Sequence, residues 1–197
     1  GGGRPSGRET IGRVASGAVA SKLLASLGIS FCTYTKSIGP VSIENCSPEE
    51  INNNAFYMPD ADAAAKAGTY LEKCMKNLDS AGGVIECRIT GVPAGLGNPV
   101  FEKLDAMLSQ AVMSIGAVKA VEIGDGIQVA HMNGSEDNDG FTIKDNMINK
   151  TSNHAGGIMG GISDGSEIIL RAYIKPTPSI SQPQQTVTSQ GRQISLE

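Results

Sequence analysis

The stretch from Ser6 to Leu27 constrains the fold more than any other. It reads as one helix, with Glu9 in the first turn beside the positive end of the helix dipole and Gly28 as the stop. Between Ile11 and Leu27 the charges are Arg13 and Lys22, while Gly12, Ala15, Ser16, Gly17, Ala18, Ala20 and Ser21 crowd the middle. A helix so apolar and so small on nearly every side belongs between layers, not on a surface. The supply of aromatic residues agrees. Four Phe, four Tyr and no Trp stand against 25 Gly, so the core must be close-packed from Ile, Val, Leu, Ala and Met. Arg13, one turn after Glu9, reads as half of a modest helical ion pair worth ~0.3–0.5 kcal/mol.

The residues before this helix, Gly1-Gly2-Gly3-Arg4-Pro5-Ser6-Gly7-Arg8, read either as an anion cradle or as a flexible glycine tail. Pro5 suits a first helical position, and Arg4 and Arg8, four apart, would point the same way.

Further along, Ile29–Lys36 and Val41–Ile43 are rich in β-branched residues and predict strands broken by Ile38-Gly39-Pro40. Asn45–Pro59 is a polar excursion with at most a turn of helix after Ser47-Pro48. Asp60 is an N-cap for a helix whose Ala64, Ala67, Leu71, Met75 and Leu78 keep helical spacing. Val84–Thr90 is a strand. Asn98-Pro99 predicts a helix start, with Phe101, Leu104, Leu108 and Ile115 on its apolar face and Gly116 as its end. Ala117–Ile123 and Ile127–His131 predict strands joined at Gly124-Asp125-Gly126, where Asp125 is a turn residue. Asn133–Ser152 reads as a mobile, lid-like loop with a short ordered piece at Phe141–Ile143. The glycine pairs of Asn153–Ser163 suggest that something flat or bulky approaches the backbone. The strand Glu167–Ile174 then delivers Lys175-Pro176-Thr177-Pro178-Ser179, and Gln185–Val187 is an edge strand. One domain over residues 1–197 is expected.

A net charge of -4 leaves no electrostatic footprint for nucleic acid or an anionic membrane, and no stretch approaches the roughly 18 apolar residues of a transmembrane helix. Cys32, Cys46, Cys74 and Cys87 form no CxxC pair and only two His accompany them, so a zinc site is not expected. Four buried thiols in a reducing cytosol is the default. The chain opens at Gly1 without Met and is read as internal to a longer protein.

Taken together, GGGRPSGRET, GVPAGLGNPVFEKLDA, SIGAVKAVEIGDG, NHAGGIMGGISDG and KPTPSI stand in the order found in the chorismate synthases, and the resemblance runs over essentially the whole chain. It implies an α+β fold, a layered β-α-β sandwich with helices packed between antiparallel sheets. It also implies a carbon–oxygen lyase of the shikimate pathway and of aromatic amino acid biosynthesis. Such an enzyme eliminates phosphate from 5-enolpyruvylshikimate 3-phosphate to give chorismate, with reduced FMN and no net redox change. A cytoplasmic homotetramer that binds neither nucleic acid nor membrane, with NADPH as a possible electron source for the flavin, completes the implied picture. By position, the flavin contacts fall on Arg4, Pro5 and Ser6, on Gly116 and Ala117, on Gly160, and on Lys175, Pro176, Thr177, Pro178 and Ser179. Arg8 falls to the anionic groups of the substrate, which a forked guanidinium suits.

Pro5 stands where the family usually has Ser, which removes one hydroxyl from the flavin site. The family's two proton-transfer histidines and its GRHD segment have no match here; Arg192 follows Gly191 but no His-Asp follows it. No residue of this chain is therefore expected to be catalytic, and the chain alone is expected to be inactive. The alternative is a flavin- or phospholigand-binding module that performs no elimination.

Overall fold

The computed structural model describes residues 7–144 and 146–196. A 3-10 turn, Gly7–Glu9, runs into α1 (Thr10–Ser26), followed by β1 (Ser30–Ile38), β2 (Val41–Ser42), a 3-10 turn Pro48–Glu50, α2 (Ala61–Lys76) and β3 (Gly83–Thr90). Then come α3 (Leu104–Met113), β4 (Val118–Ile123), a 3-10 segment Gly126–His131, α4 (Gly134–Asp137), β5 (Phe141–Lys144) and β6 (Met147–Lys150). The short β7 (Ile158–Met159) and β8 (Ile162–Ser163) precede β9 (Ile168–Ile174), β10 (Gln184–Val187) and β11 (Gln193–Leu196). The fold class is α+β. Contacts divide the chain into two compact units, residues 7–34 with 85–173 and residues 35–84 with 174–196.

In the first unit β1, β3, β9 and β4 are neighbours in that order. Ile29, Ile89, Val92, Ile158 and Ile168 form its core, with Leu24 of α1 and Leu104 and Leu108 of α3 packed against them. Along β3, Glu86 and Arg88 alternate with Cys87 and Ile89 and so face the other way. That face is charged. The fully buried Glu86 carboxylate accepts hydrogen bonds from the Tyr34 hydroxyl, from Arg88 Nε at 3.1 Å and from Arg171 Nε at 2.6 Å. Tyr173, next to it on β9, donates to Glu122 at 2.6 Å. Burial, and then the Glu122 carboxylate, push the Tyr173 phenol up to about 12.

In the second unit β2 pairs antiparallel with the end of β1, Ser37 opposite Ser42 and Ile38 opposite Val41. Ala63, Ala64 and Ala67 of α2 pack with Met58 against Ile38, Val41, Ile43 and Phe56. Small residues on this face let the helix lie close to the strands. Asp60 caps α2 as its side-chain chemistry predicts, accepting from the Ala63 N–H at 3.0 Å. It also accepts from the N–H groups of Glu44 and Asn45, each at 3.0 Å, so one carboxylate fixes both the helix start and the chain leaving β2. The β10–β11 hairpin closes the unit.

Five expectations are corrected. Asn98 does not start a helix. It exchanges backbone hydrogen bonds with Glu102, at 2.8 and 3.0 Å, and its amide donates to the Glu102 carboxylate, so the chain loops until Leu104 and leaves Phe101 93% exposed. Residues 126–131 coil as a 3-10 segment instead of returning as a strand, because the Asp125 N–H is taken by the His154 carbonyl and the Gly124 N–H by that of Ile169. Residues 133–152 carry regular structure: Asn133 and Glu136 form a capping box for α4, and β5 and β6 pair from Phe141–Lys150 to Lys144–Met147. Among the thiols Cys74 is buried, Cys32 and Cys87 are half-buried and Cys46 is exposed. The apolar side chains of α1 lie on the outside of this chain, with Ile11, Val14, Val19, Leu23 and Leu27 between 64% and 72% exposed. No helix among the described residues is long and apolar enough to cross a membrane.

Candidate functional site

Of the residues assigned to an anion cradle, Arg4, Pro5 and Ser6 lie outside the described residues. Arg8 sits exposed in the 3-10 turn that opens α1. One turn on, Arg13 does more than pair with Glu9. Its Nε donates to the Glu9 carboxylate at 2.9 Å, while Nη1 and Nη2 reach the Ser114 hydroxyl at 2.9 Å and the Ser114 carbonyl at 3.2 Å. Ser114 is the C-cap of α3. Beyond it stand Gly116 and Ala117, both exposed, with Ala117 in the left-handed region at φ 70°. A side chain built on Gly116 would meet nothing within 4 Å, so the backbone there is open to a ligand.

The Asn153–Ser163 glycines divide into two kinds. A Cβ on Gly156 would strike Gly124, on Gly157 the Glu167 carbonyl, and on Gly161 the Lys103 side chain. Packing within the chain accounts for these three. Gly160, exposed in the turn between β7 and β8, has open space above it. Its neighbour Gly161 accepts from the Leu104 N–H at 2.8 Å, which fixes the turn at the start of α3, whereas Gly116 follows the end of α3. The ten residues of α3 span roughly 15 Å.

The run Lys175–Ser179 belongs to the second unit and all five residues are exposed. Its path is set through its carbonyls: the Ser80 hydroxyl donates to that of Thr177 at 2.6 Å, and the Gln184 amide to that of Pro178 at 3.0 Å. The Lys175 cation and the Thr177 and Ser179 hydroxyls thus sit on a backbone held from behind.

A cluster the sequence did not disclose ties the 133–152 segment to the rest of the first unit. Lys150 Nζ lies 3.0 Å from Asp139 and 2.6 Å from Asp164, with all three side chains largely buried. Asp139 also accepts from the Ser152 hydroxyl and from the His154 and Ala155 N–H groups. Burial alone would raise the Asp139 pKa, but these donors hold its carboxyl well below the usual range. His154 Nδ1 bonds the Asp125 carboxylate at 2.7 Å, a bond that raises the imidazole pKa. Asp125 is thus a turn residue with a partner. The cluster draws on two charged residues of the polar 133–152 segment and on Asp164 beyond it, a pattern that sequence alone does not distinguish from a solvated surface. A cleft of about 410 Å³ opens beside the hairpin, lined by Phe141, Ile148, Lys150 and Asp164 among others; none of the residues assigned to flavin lines it.

The family model described as chorismate synthase matches residues 1–197. The chain belongs to the chorismate synthase family. It is 59% identical over 198 residues to the chorismate synthase of Agathobacter rectalis and 60% identical over 199 residues to that of Lachnoclostridium phytofermentans. Each comparison covers 100% of this chain and 54% of the relative, so the chain spans about half the length of the curated relatives it matches. A solved structure titled as a crystal structure of chorismate synthase superposes with a TM-score of 0.83 at 32% identity, over 88% of this chain and 57% of that one. The α+β arrangement described above is thus that of a chorismate synthase.

Proposed function

We propose that this chain is the flavin-holding part of a chorismate synthase, an enzyme that removes phosphate and a proton from 5-enolpyruvylshikimate 3-phosphate to give chorismate. The observation that most supports the reading is the whole-chain family match combined with the two open glycines, Gly116 and Gly160, at opposite ends of α3. Reduced FMN, when bound, supplies electron density as phosphate departs and recovers it afterwards. The residues of this chain do the rest of what is assigned to it. Gly116, Ala117 and Gly160 offer thin walls to the ring system. Arg4, Ser6, Lys175, Thr177 and Ser179 supply cations and hydroxyls to the polar parts of the cofactor, and Pro5, Pro176 and Pro178 are assigned to it with them. Arg8 takes an anionic group of the substrate through its fork. Residues 133–152 act as a cover that excludes water from the site. No proton transfer is assigned to this chain. The same reading carries a single functional domain, assembly as a homotetramer in the cytoplasm without nucleic acid or membrane, and NADPH as the source of electrons for the flavin, here or through a separate reductase.

An anaerobic titration with reduced FMN, with and without the enolpyruvyl substrate and with phosphate release monitored, tests this. Lys175→Ala is expected to weaken flavin binding by roughly tenfold, the size of one charge-assisted contact of about 1.5 kcal/mol. Phosphate release from the protein carrying this chain supports the lyase. Flavin binding without release under any condition favours a non-catalytic flavin-binding module, and absence of flavin binding overturns both.

A further inference from the structure

We propose that Arg13 is a positioning residue for the flavin-facing turn at Gly116-Ala117, an inference that rests on the flavin reading above. The guanidinium holds two motifs 101 residues apart: through Nε it grips Glu9, next to Arg8 in the turn that opens α1, and through Nη1 and Nη2 it grips Ser114. The chemistry of Ser114 is fully committed. Its single hydroxyl proton goes to the Ala111 carbonyl at 2.6 Å, so the same oxygen receives Arg13 on a lone pair. The Ser114 carbonyl is among those that the end of α3 leaves without an intrahelical donor, and a cation there also meets the negative end of the helix dipole.

Three residues separate this anchor from β4. Within them Ile115 donates to Val112 at 3.0 Å, Val118 donates back to Ile115 at 3.2 Å, and Ala117 is held at φ 70°, a conformation that L side chains rarely adopt. A turn this short is determined by its ends. Val118 is buried in the sheet, and the other end is the Ser114 that Arg13 grips. The Arg13 and Glu9 side chains are 37% and 38% exposed, so their bonds add little to global stability and act on local geometry instead. Only a planar fork reaches Glu9 and both oxygens of Ser114 at once; a lysine is a point charge on a flexible stem.

The test compares Arg13→Lys, Ser114→Ala and the double variant for FMN affinity, for the visible circular dichroism of bound flavin, and for amide exchange at Ile115 and Val118. Arg13→Lys is expected to weaken FMN binding about tenfold and to alter the flavin dichroism, with little change in melting temperature. The double variant is expected to bind no more weakly than Arg13→Lys alone, because both changes cut one link. Exchange at the hydrogen-bonded amides of Ile115 and Val118, which close the turn, is expected to speed up in every variant, whether or not flavin is present. Unchanged flavin affinity in Arg13→Lys overturns the proposal. If the unaltered protein itself binds no FMN, the flavin reading fails separately, and unchanged exchange at Ile115 and Val118 then overturns the positioning role on its own.

Discussion

Replacing Lys150 by methionine should release the hairpin β5–β6 from the rest of the first unit. The side chains of Lys150, Asp139 and Asp164 are 7%, 2% and 11% exposed, and the ammonium stands between the two carboxylates at 3.0 and 2.6 Å. Removing one member of a buried ion pair costs about 3–5 kcal/mol, chiefly by stranding the other charge. Asp139 keeps its bonds from Ser152, His154 and Ala155, which places the loss at the lower end, about 3 kcal/mol. Release of one hairpin is a local event that a global melting temperature does not resolve. Amide exchange does: protection along the β5–β6 ladder should fall by about a hundredfold in Lys150→Met, while that of β3 and β9 stays. Lys150→Met combined with Asp164→Asn removes one of the stranded charges and should recover part of it. The latch should also have a defined pH window. Asp139 and Asp164 are held below their ordinary 3.8, so their contribution is present above that value and is lost as pH falls through their folded values. Lys150 is raised above its ordinary 10.5, so its contribution is present below that value and is lost as pH rises through the folded one. Unchanged hairpin protection in Lys150→Met, with the rest of the unit intact, would refute the reasoning.

Asp60→Ala strips the α2 cap and leaves the N–H groups of Glu44 and Asn45 without their acceptor. A loss of about 2–4 kcal/mol in urea unfolding of the second unit is expected. The Ala63 N–H, followed by those of Asn45 and Glu44, holds the Asp60 pKa at about 2, so this contribution should fade as pH drops from 3.8 towards 2. Glu86→Gln uncouples a buried carboxylate from Arg88 and Arg171 and should destabilise the first unit by about 3 kcal/mol in denaturant titration; a change below 1 kcal/mol would show that the network is dispensable. For His154, whose pKa the Asp125 bond raises, the pair should stabilise the protein fully below pH 6.5 and lose that effect as pH rises through the folded value. An imidazole titration followed by NMR in the unaltered chain and in Asp125→Asn would check it, the variant being expected to titrate lower.

The elements that could be read from the sequence are those whose causes are local. The Asp60 cap, Ala64 and Ala67 of the α2 spacing and the β-branched run of β3 each lie within a few residues of what they determine, whereas Met75 and Leu78 of the same spacing are exposed and Leu78 lies past the helix end. Asn98 misled because a residue that caps helices can equally close a loop, and the choice depended on Glu102 being free to reciprocate. The order in 133–152 depends on Lys150 finding Asp139 and Asp164, and β11 on finding β10; neither pairing has a local signature. At the candidate site the motifs were visible but their division of labour was not. Gly156, Gly157 and Gly161 are small because the chain crosses itself there, and only the three-dimensional arrangement separates them from Gly160. Arg13 looked like half of a helical ion pair because Ser114 is 101 residues away.

The outward-facing α1 has a consequence for how the chain behaves in a test tube. Ile11, Val14, Val19, Leu23 and Leu27 give an acidic polypeptide an adhesive flank. Produced by itself, it should scatter more light as it is concentrated, disperse in mild detergent and be taken up by holdase chaperones. Its colloidal behaviour would then be governed by one helix and not by its net charge.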